Sequence, residues 1–306
     1  MNILVIYHSA DYDGKFSRDV CLYHLQNAGH SVDTFGWDYG NDVCPVDKYD
    51  QIYLVDISID SLLNDVSLRN KIIWIDHHKT AIEKFDKNIH GLRMDGVAAC
   101  RLCWNWFTNS GWSTLQSYRY REVSEPYLIT LAGEYDVWDK RKPEGEQLQL
   151  GLKAAKWLSK DSLEYFSVSE NAKNAIHEKL LVSGKTIQQY MLQHNAEIAA
   201  RAYLISFEGL HFLTLPMALG NSLLFDSRKD EKHDACLVWR YDGKKYTISL
   251  YHKVGREDLD LSIIAKNYGG GGHKGACGFT VDELPKEILT AVSPVDFSTV
   301  LVAPLN

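Results

Sequence analysis

The chain predicts an α/β protein: an N-terminal, doubly wound and mainly parallel sheet, joined by a helical linker to a smaller α/β domain. Three observations carry that expectation. Short apolar runs alternate with helical patterns through the first half of the 306 residues, as in a parallel sheet with crossover helices. From Ser169 to about Arg201 one apolar face recurs at helical spacing. Beyond it, further strand-like runs lead into four consecutive glycines, Gly269–Gly272.

Taken in order, Asn2–Tyr7 reads as a strand. Lys15–Ala28 reads as a helix with Val20, Leu22 and Leu25 on its apolar positions, and Ser31–Gly36 as a second strand. Ile52–Val55, a short helix near Ser61–Leu68 and Ile72–Ile75 continue the alternation. Gly96–Thr108 is helical by its Ala98, Leu102, Trp106 and Phe107 pattern. Pro126–Trp138 is a helix with proline in its first turn, delivering Glu134, Asp136 and Asp139 towards its end. In Ser169–Arg201 the residues Ile176, Leu180, Ile187, Met191 and Ile198 keep one face, and Gly184 marks a possible bend. The expected division is therefore 1–160 for the first domain, 161–201 for the linker and 202–306 for the second domain. In that second domain Leu204–Phe207, His211–Leu215, Ala235–Tyr241 and Lys245–Tyr251 read as strands, with Asp242-Gly243 as a hairpin turn. Leu261–Tyr268 reads as a short helix.

An apolar fraction of 45% and a charged fraction of 24% belong to a globular protein, and 306 residues allow two cores. The Met1–Tyr7 opening lacks a basic region and is too short for a signal peptide, and no run approaches the ~20 apolar residues of a membrane span. A cytoplasmic protein without a membrane partner is expected. The net charge of −7 argues against a grip on long nucleic acid, whose affinity depends on neutralising phosphates. It leaves room for a short phosphorylated substrate. Cys100 and Cys103 form a CxxC with no second pair at zinc spacing, and on a helix they read as core rather than redox residues.

The chemistry gathers at strand ends. Asp76-His77-His78 closes Lys71–Ile75, His8, Asp11 and Asp13 follow Ile3–Tyr7, and Asp56 follows Gln51–Val55. In a parallel sheet the carboxyl ends of strands face one crevice, so these groups should converge. Carboxylates and imidazoles without thiolates suit Mn²⁺, Mg²⁺ or a similar ion, and there are enough of them for two. Two cations about 3.5–4 Å apart form the usual clamp for displacement at phosphorus.

With these residues in view, the chain resembles the DHH phosphoesterase superfamily. Gly269-Gly270-Gly271-Gly272-His273-Lys274-Gly275-Ala276 is similar to the glycine-rich signature of its companion DHHA1 domain. The resemblance implies that His8, Asp11 and Asp56 hold a first cation. Asp13, Asp56, His77 and Asp136 would hold a second, with Asp56 bridging and Glu134 the alternative to Asp136. Mn²⁺ is the first expectation, with Mg²⁺ or Co²⁺ compatible. It further implies that Asp76 orients a histidine ring, and that His78 contacts the substrate. Gly270, Gly271, Gly272, His273 and Lys274 would hold a substrate phosphate away from the scissile bond. Many relatives carry an arginine before the glycine run, where this chain reads Ser249–Lys253, and Tyr251, His252 or Lys253 would have to replace it.

The activity so implied is a metal-dependent phosphodiesterase that trims very short oligonucleotides to 5′-mononucleotides, as a monomer or homodimer. Its rivals are a cyclic or linear dinucleotide phosphodiesterase and a nucleotide-binding regulator with a degenerate centre.

Overall fold

The computed structural model describes residues 1–108, 125–139, 141–218, 220, 222–229, 231–253 and 255–290. The chain divides into two compact units, Met1–Gln188 and Gln189–Asn306.

In the first unit the parallel strands are β1 (Asn2–His8), β2 (Ser31–Trp37), β3 (Gln51–Val55), β4 (Ile72–Asp76) and β5 (Gly91–Arg93), in the order β2-β1-β3-β4-β5. The expected doubly wound, parallel sheet is present. Its strands are nearly continuous apolar runs because both faces are covered. Ile3, Val5, Tyr53, Val55, Ile73 and Ile75 enter one core, whereas Leu4, Ile6, Ile52, Leu54, Ile72 and Trp74 enter the other. The alternation follows the two-residue period of a strand.

The first face is covered by α1 (Tyr12–Asn27), α4 (Ala99–Thr108), α5 (Tyr127–Asp136), α6 (Glu144–Ala154) and α7 (Ser159–Ser167). The second is covered by the short helices α2 (Asp60–Leu63) and α3 (Lys79–Lys84) and their flanks. Cys100 and Cys103 are free, fully buried residues of α4, in keeping with a core role.

α8 (Glu170–Ala199) is a single helix of 30 residues. The first unit closes at Gln188, later than the boundary expected near residue 160, because Tyr165, Phe166 and Leu180 are buried in its core. Gly184 does not interrupt α8. A Cβ there would lie 1.7 Å from the Gln147 carbonyl oxygen, so glycine allows α6 and α8 to approach.

The second unit holds the sheet β10-β11-β9-β8-β7-β6. Its strands are β6 (Tyr203–Phe207), β7 (Leu210–Pro216), β8 (Ala235–Tyr241), β9 (Tyr246–His252), β10 (Gly271–His273) and β11 (Ala276–Val281). β7 and β8 are parallel and the other pairings antiparallel. One face is packed by α9 (Leu261–Asn267) and α10 (Lys286–Thr290). The glycine run is largely helix cap and strand. Gly269 (φ +74°) ends α9, and the Gly270 N–H donates to the Ala265 carbonyl at 2.8 Å. Gly272 (φ +130°) lies so close to Cys277 that a Cβ would sit 2.7 Å from its Cα. Among the described residues no helix is long and apolar enough to cross a membrane.

Candidate metal centre

The strand order places β1 beside β3 although β2 lies between them in sequence, with crossovers leaving in opposite directions. Such a switch point opens a crevice at the carboxyl ends of the two strands. His8 is the last residue of β1 and Asp56 directly follows β3. Asp56 adopts a left-handed backbone, φ +60°, strained for a residue with a Cβ and typical of functional sites. Its N–H donates to the Ile75 carbonyl at 2.9 Å, which carries the pairing with β4 past the end of the strand.

Asp11 caps α1, with its Oδ1 accepting from the Gly14 N–H at 3.0 Å. A Cβ on Gly14 would lie 2.0 Å from the His8 carbonyl oxygen, so this glycine lets the helix start hard against β1. Asp13 follows on the first turn, 1% exposed. Its two oxygens accept from the N–H groups of Ala99 (2.8 Å) and Cys100 (2.7 Å) at the start of α4.

Asp76 is completely buried and organises the double histidine. Oδ2 accepts from Trp74 Nε1 at 3.1 Å, while Oδ1 accepts from the His77 N–H at 2.7 Å and the His78 N–H at 3.2 Å. The same Oδ1 lies 2.7 Å from His78 Nδ1. The ring that Asp76 orients is therefore that of His78, and both of its own oxygens accept hydrogen bonds.

The two oxygens of Asp56 face different neighbours. Oδ2 is 3.5 Å from His8 Nδ1, which is also 3.0 Å from Asp11 Oδ2. Oδ1 is 3.2 Å from His77 Nε2, and that nitrogen is 3.4 Å from Asp136 Oδ2 and 3.6 Å from Asp13 Oδ2. One imidazole N–H cannot serve three carboxylates, and buried Asp56 Oδ1 is left without a hydrogen-bond partner. His8, Asp11 and Asp56, and likewise Asp13, His77 and Asp136, bring potential ligand atoms within 4.8 Å of one another. Of the two acidic residues considered at the end of α5, Asp136 is the one beside His77. The residues thus fit divalent cations: an orphaned carboxylate oxygen sits where hard oxygen and imidazole donors converge.

The electrostatics record the crowding. Burial, with the charge on Asp56 behind it, pushes Asp13 up to about 7, and burial with the charge on Asp13 does the same to Asp136. Burial alone would lower His77, but the adjacent Asp56 and the charges on Asp13 and Asp136 hold it up at about 10. Contact with Asp11, and next with Asp56, raises His8 to about 10. For Asp11 burial works upwards, yet His8 and the Gly14 N–H hold it below the usual carboxylate range. Asp76 is the main cause of a raised pKa at His78.

Two neighbours were not anticipated. Asp38 Oδ1 lies 3.6 Å from His8 Nε2, and the Tyr39 ring meets the His8 ring edge-on, with centroids 6.3 Å apart. Asp38 directly follows β2, so the strand-end pattern that marks His8 and Asp56 extends to it.

The expected substrate residues belong to the second unit. His273 and Lys274 are exposed at the β10–β11 turn. Gly271 is the one glycine of the run with open space about it on a backbone that any residue can adopt, whereas Gly270 and Gly272 are packed against β11. The Gly270 N–H is engaged at the end of α9, so it is not free to hold a substrate phosphate as the resemblance implies. The candidates for the missing arginine are also occupied: Tyr251 donates to the Gly220 carbonyl at 3.1 Å, His252 Nε2 is 2.7 Å from the Leu259 carbonyl oxygen, and Lys253 donates to the Glu231 carbonyl.

No family model matches the sequence, and no curated protein matches it. Solved structures do. PggH, a pGpG-specific phosphodiesterase from Vibrio cholerae, aligns with a TM-score of 0.57 at 12% identity, over 95% of this chain and 97% of its own. The DHH domain of a protein described as a member of a ribosomal-protein family aligns with a TM-score of 0.53 at 14% identity, over 95% of this chain and 85% of its own. With its five-stranded parallel sheet, its second mixed sheet and these structural neighbours, the chain has the fold of the DHH/DHHA1 superfamily.

Proposed function

We propose that the first unit is the catalytic centre of a divalent-metal-dependent phosphodiesterase, which hydrolyses very short oligonucleotides to 5′-mononucleotides. The supporting observation is the arrangement of His8, Asp11, Asp13, His77 and Asp136 around a buried Asp56 whose two oxygens face opposite ways. His8, Asp11 and Asp56 would hold one cation, and Asp13, Asp56, His77 and Asp136 the other. Two bound cations would lower the pKa of a water and offset the charge of a phosphoryl group.

The chain's own residues supply the rest. Asp76, held by Trp74 and by two backbone N–H groups, accepts the Nδ1 proton of His78 and directs Nε2 away from itself. By raising the His78 pKa it keeps that ring protonated over a wider pH range. His78, whose side chain is 39% exposed, is then a donor to a non-bridging phosphoryl oxygen where charge develops. In the second unit, His273 and Lys274 supply positive charge for a second substrate phosphate, with Gly271 leaving room for its approach. Strongly acidic ligands and a net charge of −7 favour substrates with few phosphates.

A second reading has one observation behind it. PggH, named for pGpG, shares the fold over nearly its whole length, so a linear dinucleotide is the substrate to test beside longer fragments. The test incubates purified protein with Mn²⁺ and a panel of dinucleotides, tri- to pentanucleotides, cyclic dinucleotides, 3′-phosphoadenosine 5′-phosphate and pyrophosphate, with products resolved by chromatography. Release of 5′-mononucleotides from the short linear substrates, abolished by EDTA, is expected. Cleavage of cyclic dinucleotides alone would shift the assignment to the cyclic class, and no turnover of any phosphodiester would overturn it.

A further inference from the structure

The geometry points to Asp38 as a positioning residue for His8, fixing which ring nitrogen faces the metal centre. This rests on the proposed metal-dependent function and adds to it a residue outside the expected ligand set.

His8 presents its two nitrogens to different carboxylates. Nδ1 faces Asp11 (3.0 Å) and Asp56 (3.5 Å), the cluster able to hold a cation. Nε2 faces Asp38 Oδ1 at 3.6 Å, an ion-pair distance somewhat longer than a hydrogen bond. A histidine that binds metal through one nitrogen is normally held through the other by a carboxylate or carbonyl, which fixes both tautomer and ring angle. Asp38 is the carboxylate beside Nε2. A proton on Nε2 leaves the Nδ1 lone pair free for a cation, whereas the opposite tautomer would turn an N–H towards it.

Asp38 is well placed for this because its loop is pinned. Parallel pairing sets His8 opposite Trp37, and the Ser9 N–H donates to the Trp37 carbonyl at 3.1 Å. Trp37 is buried, and its Nε1 donates to the Asn41 carbonyl at 2.9 Å. The Asn41 N–H donates to the Asp38 carbonyl at 3.1 Å, and the Tyr39 N–H to Asp38 Oδ1 at 2.8 Å. The Tyr39 ring then packs edge-on against both Trp37 and His8. A half-exposed acidic side chain would ordinarily sample many rotamers, but here the oxygen nearest His8 is tied to the backbone N–H of Tyr39.

The test is a calorimetric Mn²⁺ titration of the full chain as wild type, Asp38→Ala, Asp38→Asn and Asp42→Ala. Asp42 is exposed on the same loop, so Asp42→Ala removes an equal charge without touching His8. Loss of such a supporting contact typically weakens metal binding by about 10–100-fold, and that loss is expected for one of the two ions in Asp38→Ala. Asp38→Asn keeps an acceptor oxygen and should recover part of it, while Asp42→Ala should match wild type. A thermal melt in EDTA confirms that each variant is folded. Unchanged Mn²⁺ affinity in Asp38→Ala, or an equal loss in Asp42→Ala, would overturn the role of Asp38 while leaving the metal centre intact. A wild-type chain that binds no Mn²⁺ would remove both this inference and the functional reading.

Discussion

Two adjacent histidines stand in different surroundings, and the proposed function gives them different duties. His77 is enclosed by Asp13, Asp56 and Asp136, whereas His78 is held from behind by Asp76 and keeps an exposed edge. His77→Ala is expected to lose metal and turnover together. His78→Ala should retain both ions and slow turnover by about 10²–10³-fold, the usual cost of one charge-stabilising donor, and calorimetry beside steady-state kinetics separates the two outcomes. The same crowding sets a pH dependence for the metal-free protein. His8 and His77 stand at about 10 against 6.5 in the unfolded chain, so their pairing stabilises fully below pH 6.5 and is lost as pH rises through 10. Asp13 and Asp136 stand at about 7 against 3.8, so their ionisation between those values opposes folding. With more protons bound in the native state, stability in EDTA should fall from about pH 7 to about pH 9. Cations replace those protons, so the gain in Tm from Mn²⁺ should grow over the same range. A gain that shrinks with rising pH would mean that these groups do not hold the metal.

At the scale of the element, legibility followed a simple rule: strand ends in a parallel sheet meet at one crevice, and the residues closing β1, β3 and β4 could be found without coordinates. Asp38 obeys the same rule, but β2 is an edge strand with an exposed, mixed pattern, so its end is less plainly marked than those of the buried strands. Close backbone approach was not legible. Gly184 and the Gly269–Gly272 run owe their identity to contacts with residues distant in sequence or to the end of a helix, and local pattern carries no trace of a carbonyl 1.7 Å from an imagined Cβ. The domain boundary shifted for a similar reason, since an amphipathic helix does not disclose which unit its apolar face joins. Gly14 gives a test at this scale. Gly14→Ala would force α1 away from the His8 carbonyl, moving Asp11 and Asp13 with it. A stability loss of about 2–4 kcal/mol, read from chemical denaturation, is expected together with weakened Mn²⁺ binding. Wild-type stability would show that the helix start has slack the structure does not suggest.

For the whole molecule, the question is what a second unit contributes when the proposed metal ligands all lie in the first. His273 and Lys274 project from the β10–β11 turn with no described hydrogen bond through their side chains, and the packed glycines behind them leave the turn little freedom to move. Binding energy from a remote part of a substrate is realised only when that part is present. If His273 serves a distal phosphate, His273→Ala should raise KM strongly for a 5′-phosphorylated dinucleotide. Bis-p-nitrophenyl phosphate has no such phosphate and should be hydrolysed by the variant almost as by wild type. Salt provides an independent reading. With a net charge of −7 the chain has little means of tracking a long backbone, so the preference for short substrates should persist at low ionic strength, where polyanion binding is strongest. Both substrates are measured with wild type and His273→Ala in Mn²⁺ at low and moderate salt. Equal losses on the two would assign His273 to the fold or to the metal centre, and would leave the second unit without a part in recognising substrate.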